Sequence, residues 1–174
     1  MFSNVIKAHL ENLELVLKRL PEFIEIMDAE IKGKRLKDGY IRIHDAGDFF
    51  SREYMLAWFE IANRNPEVNF YTYTKEVLMF KDAKAEGILP NNLTTIYSFG
   101  GRQDKHIDRE VDRHSDVFYS YHVLLRAGYY KMGEDDKQAA INPNHKIGLF
   151  RNNIRHNVIK QGRKNFSEWQ NNGK

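Results

Sequence analysis

Cysteine is absent from the 174-residue chain. No disulfide framework, thiolate zinc site, cysteine nucleophile or cysteine-ligated iron–sulfur cluster can be built from its own residues. Uninterrupted apolar runs are also missing, and nothing approaches the roughly 20 residues that a membrane helix needs. The N-terminal stretch has the charged, amphipathic pattern of a surface helix rather than of a secretion signal, so a soluble, intracellular protein is expected. No Gly-x-Gly-x-x-Gly occurs, and Gly100-Gly101 is followed by no Lys-Ser or Lys-Thr, which leaves a nucleoside triphosphatase or dinucleotide fold without support. No nucleophile elbow, internal repeat or low-complexity linker is present. What is abundant is aromatic: Phe 11, Tyr 9 and Trp 2 within a 41% hydrophobic composition predict one packed domain.

Charge is unevenly spread. Residues 146–174 hold seven basic residues against the single acid Glu168, and the other 145 residues hold 20 basic against 23 acidic ones. The expected organisation is an α/β domain over 1–145 followed by a basic segment over 146–174. Arg151, Arg155, Lys160, Arg163 and Lys164 are its candidate binding residues, because a cluster of one sign favours an anionic partner.

Apolar residues at Val5, Ile6, Leu10, Leu13, Val16, Leu17 and Leu20 recur at helical spacing behind Asn4, a suitable cap, until Pro21 interrupts them. Phe23, Ile24, Met27 and Ile31 carry a second helix to Gly33. Strands are predicted at 40–44, 68–74 and 93–98, where β-branched and aromatic residues run between glycine and proline boundaries, and the stretch 116–122 has the same look. Ser51 caps a helix that buries Met55, Trp58, Phe59 and Ala62, and a further helix spans about 76–86 up to Gly87. Alternating strands and helices imply a mainly parallel sheet, either open or curled into a partial (β/α) barrel.

Functional groups of parallel α/β folds gather at the carboxyl ends of the strands. That rule collects His44, Asp45, Asp48, Lys75 and Arg102 as a candidate pocket, with Tyr73, Thr74, Ser98 and His122 nearby. The same turn residues could simply fix a turn and leave His44 in the core. Asp104, His106, Asp108, Asp112, His114 and Asp116 offer carboxylates and imidazoles, but their interleaving with Arg109, Glu110 and Arg113 reads as a solvated helical face. His145 and His156 read as surface groups. Tyr71, Tyr73, Tyr119, Tyr121, Tyr129 and Tyr130 suit stacking or an interface, and more simply strand and core positions.

The run Ile41-Arg-Ile-His-Asp-Ala-Gly-Asp-Phe-Phe-Ser51, then Tyr54, Trp58 and Phe70-Tyr-Thr-Tyr-Thr-Lys75, resembles the phage gene product 88 family. The likeness extends back to Phe2 and forward to Gly101. It implies a radical S-adenosylmethionine-like scaffold whose Gly47-Asp48-Phe49 turn stands where such proteins contact the methionine moiety. Without cysteines the chain itself is expected to hold no cluster and no cofactor, and no catalytic or metal residue is assigned. The resemblance implies a non-catalytic viral protein of the host cytoplasm that binds a host protein or nucleoprotein, or nucleic acid through the basic segment. An inhibitor of host defence, such as one directed at a CRISPR effector, would fit. Two alternatives stand beside it: a metal-dependent hydrolase or nuclease using His44, Asp45 and Asp48 with His106 or His114, and a split portion of a radical enzyme whose cysteines lie in another chain.

Overall fold

The computed structural model describes residues 3–34, 39–151 and 155–170. In chain order the first elements are α1 (Ser3–Lys18), α2 (Leu20–Gly33), β1 (Tyr40–Ile43), α3 (Arg52–Arg64), β2 (Asn69–Thr74), α4 (Val77–Ala85) and β3 (Leu93–Ser98). There follow β4 (His114–Phe118), α5 (Tyr121–Arg126), β5 (Tyr130–Lys131), α6 (Gln138–Ile141), β6 (Lys146–Phe150), α7 (Arg155–Gln161) and α8 (Phe166–Gln170). The six strands form one open, all-parallel sheet in the order β1-β2-β3-β4-β6-β5. The expected α/β class with a parallel sheet is therefore present, and the barrel alternative is not, because the sheet does not close.

Contacts divide the chain into two compact units. The first comprises Met1–Ile41, Phe49–Phe70 and Pro90–Leu93. Here Arg19 breaks the helical run and Pro21 sits in the first turn of α2, where its missing N–H costs no hydrogen bond. α1 already runs at Ser3, so Asn4 lies inside it and is not its cap. Ser51 caps α3 by accepting from the Tyr54 amide at 3.2 Å. Met55, Trp58, Phe59 and Ala62 are buried as their spacing predicts, with the Phe23 ring edge-on to Trp58 at 5.6 Å. Asp28 of α2 accepts from Lys32 and from Asn65, which caps the C-terminus of α3, at 2.7 and 2.8 Å, and these two hydrogen bonds hold its carboxyl below the usual range. The Ile6, Leu10, Leu13 and Leu17 stripe of α1 remains exposed.

The second unit comprises Arg42–Asp48, Tyr71–Leu89 and Thr94–Lys174, and so contains the carboxyl end of every strand. Its central pairing sets Asp116 of β4 opposite Gly148 of β6, and Gly148 opposite Lys131 of β5. Residues 146–150, with which the basic segment opens, thus form β6 inside the sheet. The expected strand over 116–122 is displaced: β4 ends at Phe118, and Ser120 caps α5 through the Val123 amide. Leu124 of α5 is fully buried beside Phe118 and Tyr129. It approaches β6 so closely that a Cβ at Gly148 would lie 2.5 Å from its Cδ1, so this position admits glycine alone without displacement.

Candidate functional site

Side chains alternate between faces along a strand, so Val117 and Leu149 point away from the side on which Gly148 receives Leu124. On their side, at the carboxyl ends of β4, β5 and β6, lies a cavity of about 470 Å³. Val117, Met132, Leu149 and Phe166 form apolar walls, and Asp136, Arg151 and Gln161 supply the polar groups. A smaller cavity of about 200 Å³ shares Asp136 and Leu149 and adds Arg42, Tyr73 and Ser98.

Asp136, where the two cavities share a wall, is held by three donors. Arg42 Nη1 donates to Oδ2 at 2.9 Å, the Tyr71 hydroxyl to the same oxygen at 3.1 Å, and the Tyr73 hydroxyl to Oδ1 at 3.4 Å. The Arg42 guanidinium also lies 4.9 Å from the Tyr73 ring centroid and donates through Nε to the His44 carbonyl. Burial, then the Asp136 charge, push the Tyr71 phenol up to about 12, and the same two causes raise Tyr73. Arg113 donates to the carbonyls of Ala139, Asn142 and Asn144, tethering the segment that carries α6.

Beside the larger cavity, the C-terminal segment is tied to β4. Gln161 Nε2 donates to the Val117 carbonyl at 3.0 Å and to the Lys164 carbonyl at 2.9 Å. The Ser167 amide and hydroxyl both donate to the Asp116 carboxylate, at 3.2 and 2.5 Å. Burial raises the Asp116 pKa despite these bonds. Arg151 turns inward to the cavity and spends one N–H on the Gly162 carbonyl at 2.6 Å. Arg155, Lys160, Arg163 and Lys164 remain exposed.

The predicted pocket residues fall elsewhere on the same edge. His44 is half-buried with φ 63°, a left-handed backbone that a non-glycine residue adopts only when its surroundings impose it, and burial lowers its pKa. Asp48 accepts from the Thr74 hydroxyl and from the Lys75 amide, both at 2.7 Å, which ties the turn after β1 to the end of β2. Asp45, Lys75 and Arg102 are exposed, and none of these five residues lines either cavity.

The 104–116 constellation is not a helical face. Asp104 accepts from the amides of Gly100 and Gly101 at 2.9 and 2.8 Å, so a carboxylate of the chain itself occupies that glycine turn. Asp112 accepts from the Asp108 amide, and His106 lies in a single 3-10 turn. His114 and Asp116 are buried in β4, the first packed between the Phe99 and Tyr129 rings and the second covered by Ser167. The His114 ring bonds the Tyr129 hydroxyl at 2.9 Å and the Asp112 carbonyl at 2.8 Å, and burial lowers its pKa. Among the described residues no three His, Asp or Glu side chains converge as a metal site. His145 is half-buried, its Nε2 3.1 Å from the Arg109 carbonyl, and the side chain of His156 lies outside the described ones.

The open, all-parallel six-stranded sheet defines the class as α/β, and the two cavities described lie at the carboxyl ends of its strands. The chain belongs to the Gene product 88 family, whose model matches residues 1–168. A Gene 88 protein of Mycobacterium phage L5 is similar, being 34% identical over 65 residues, or 37% of this chain and 25% of the relative. The match thus spans a quarter of that protein's length. No solved structure matches. Among the described residues no helix is long and apolar enough to cross a membrane.

Proposed function

We propose that this phage-derived protein acts by binding an anionic host macromolecule, a nucleoprotein or its nucleic acid, through Arg155, Lys160, Arg163 and Lys164. The observation that supports the reading is the anchoring of the segment that carries them. Gln161 and Ser167 hydrogen-bond to β4 on either side of Arg163 and Lys164, and Arg155 and Lys160 lie on α7, which ends at Gln161, so the exposed cations stand on an anchored segment. A pre-ordered cationic surface loses less conformational entropy on binding than a free tail does. Within this reading, a nucleoprotein effector of host defence, such as a CRISPR complex, fits the phage family. The radical-SAM-like scaffold has weaker support, because Asp48 of the Gly47-Asp48-Phe49 turn is bonded to Thr74 and Lys75.

Fluorescence anisotropy with labelled RNA and DNA oligonucleotides, together with capture from host lysate, tests it. Four phosphate contacts predict a log–log salt slope of about −3 to −4. Replacing the four cations by Glu is expected to weaken association at least ~10-fold at low salt while the fold persists. Unchanged affinity in that variant would overturn the reading. Phosphodiester turnover that Asp48→Asn abolishes and charge reversal leaves intact would support the hydrolytic alternative instead.

A further inference from the structure

Ligand pockets are typically about 300–1,000 Å³, mostly apolar, with a few polar groups that fix orientation. The 470 Å³ cavity at the ends of β4 and β6 has this make-up. Its charges do not cancel. Asp136 is neutralised by Arg42 and accepts from two tyrosine hydroxyls, so its charge is already balanced. Gln161 has its amide N–H groups committed to the Val117 and Lys164 carbonyls. Arg151 is different: it is half-buried, lines the cavity, and donates to one backbone carbonyl, with no carboxylate beside it among the described residues. A guanidinium carries five N–H donors in a planar fork. Those that remain, in a partly desolvated site, favour an acid group over water and over a neutral group.

We propose that this cavity binds a small organic anion: its acid group pairs with Arg151, and its hydrocarbon or aromatic body packs among Met132, Leu149 and Phe166. The site goes beyond the macromolecular reading, since Arg151 faces inward and the four exposed cations take no part. Its body-binding wall is apolar on both the β6 and α8 sides, so inorganic phosphate or sulfate alone would leave most of the enclosed surface uncovered. The class is therefore an acid with an apolar body, rather than a simple ion.

The test uses the full chain and two fluorescent probes of nearly equal shape, 8-anilino-1-naphthalenesulfonate, which is an anion, and N-phenyl-1-naphthylamine, which is neutral. The expected result is one site per chain, at least ~10-fold preference for the sulfonate, and displacement of the sulfonate by benzoate or octanoate. Arg151→Gln is expected to remove the preference, Arg151→Lys to keep part of it, and Leu149→Trp to abolish binding of both probes by filling the cavity. Thermal melting separates loss of the site from loss of the fold. Should Arg151→Gln fail to fold, the wild-type preference and the Arg151→Lys variant still decide. Equal affinity for the two probes would overturn the proposal, as would sulfonate binding that survives in Leu149→Trp or in folded Arg151→Gln. Retention of sulfonate binding in the variant with Arg155, Lys160, Arg163 and Lys164 reversed would show the two sites to be separate, and its loss would overturn the assignment to the cavity.

Discussion

Gly148→Ala adds one methyl group at the centre of the β4–β6–β5 pairing. That methyl would lie 2.5 Å from Leu124 Cδ1 and 2.6 Å from Cγ, distances at which one atom must move. Leu124 has no exposed surface and is packed beside Phe118 and Tyr129, so its branch has no open side to swing into. Overpacking of this kind costs about 1–3 kcal/mol. The lower backbone entropy of alanine in the unfolded chain returns about 0.4–1 kcal/mol. A net loss of about 1–2 kcal/mol is therefore expected, which at this chain length lowers the melting temperature by roughly 2–8 °C. Leu124→Ala alone should cost about 2–5 kcal/mol through the space it leaves. Combined, the two changes relieve each other, because the new methyl occupies part of that space, and the double variant should lose less than the summed single losses by about 1 kcal/mol or more. Urea unfolding followed by circular dichroism measures all three. A neutral or stabilised Gly148→Ala, or strict additivity in the double variant, would refute the close approach. The perturbation should also reach the cavity, because Leu149 is the next residue along β6 and lines it.

Trp58→Ala should cost about 3–5 kcal/mol in thermal or denaturant unfolding, since the indole is buried in the first unit against Phe23, and a loss below about 1 kcal/mol would show that α3 does not present this face to the core. In an ultraviolet titration of the phenolate band, read as the difference between wild type and Tyr71→Phe, Tyr71 should ionise at about 12. Because its folded pKa is raised, the stability it contributes is full below the ordinary phenol range near about 10 and is lost as pH climbs through 12. Asp136→Asn should lower that pKa without restoring the ordinary value, because burial is the larger cause; an unchanged titration would mean that the Tyr71–Asp136 bond does not form in solution.

Much of the fold is legible in the sequence where local signals and tertiary outcome agree. β1, β2 and β3 are short runs of β-branched and aromatic residues between turn formers, and Ser51 with the Met55, Trp58, Phe59 and Ala62 stripe fixes α3. β4 is misread because its first part, His114-Ser115-Asp116, is polar; it becomes a strand through pairing with β6, and with β3 at its first two residues, and is buried by side chains from distant segments such as Tyr129 and Ser167. Its apparent continuation is cut short by a serine cap whose bond to Val123 outweighs the strand propensity of Tyr119 and Tyr121. The rule of strand carboxyl ends directs attention to the edge of the sheet where the two cavities lie, but the residues it collects, His44, Asp45, Asp48, Lys75 and Arg102, line neither of them. Arg42 and Asp136 are 94 positions apart, and no spacing in the chain announces their pairing. Arg42 is an exposed residue of β1 and Asp136 follows Glu134 and Asp135 in an acidic stretch, so no local pattern marks the two as partners. Tyr71 and Tyr73 are visible as aromatics, but their hydroxyls acquire a role only once the segment that Arg113 tethers has folded back.

The strand order has a consequence for how the protein is made. β5 lies at one end of the sheet and its neighbour there is β6, which follows it in the chain. As the polypeptide leaves the ribosome, β5 therefore has no strand to pair with until residues 146–150 have also emerged. During that interval β4 presents on one side a row of unpaired N–H and C=O groups, a template on which another chain can add a strand. A pause in translation between Phe118 and Lys146 would prolong this exposed state, and a chain stopped there would be a candidate for aggregation or chaperone capture. The larger cavity is assembled later still, because Phe166 is among its walls. A ligand that needs the Phe166 wall therefore meets a complete cavity only after residue 166 has emerged, and it stabilises the finished fold by mass action rather than guiding the first pairing of the strands.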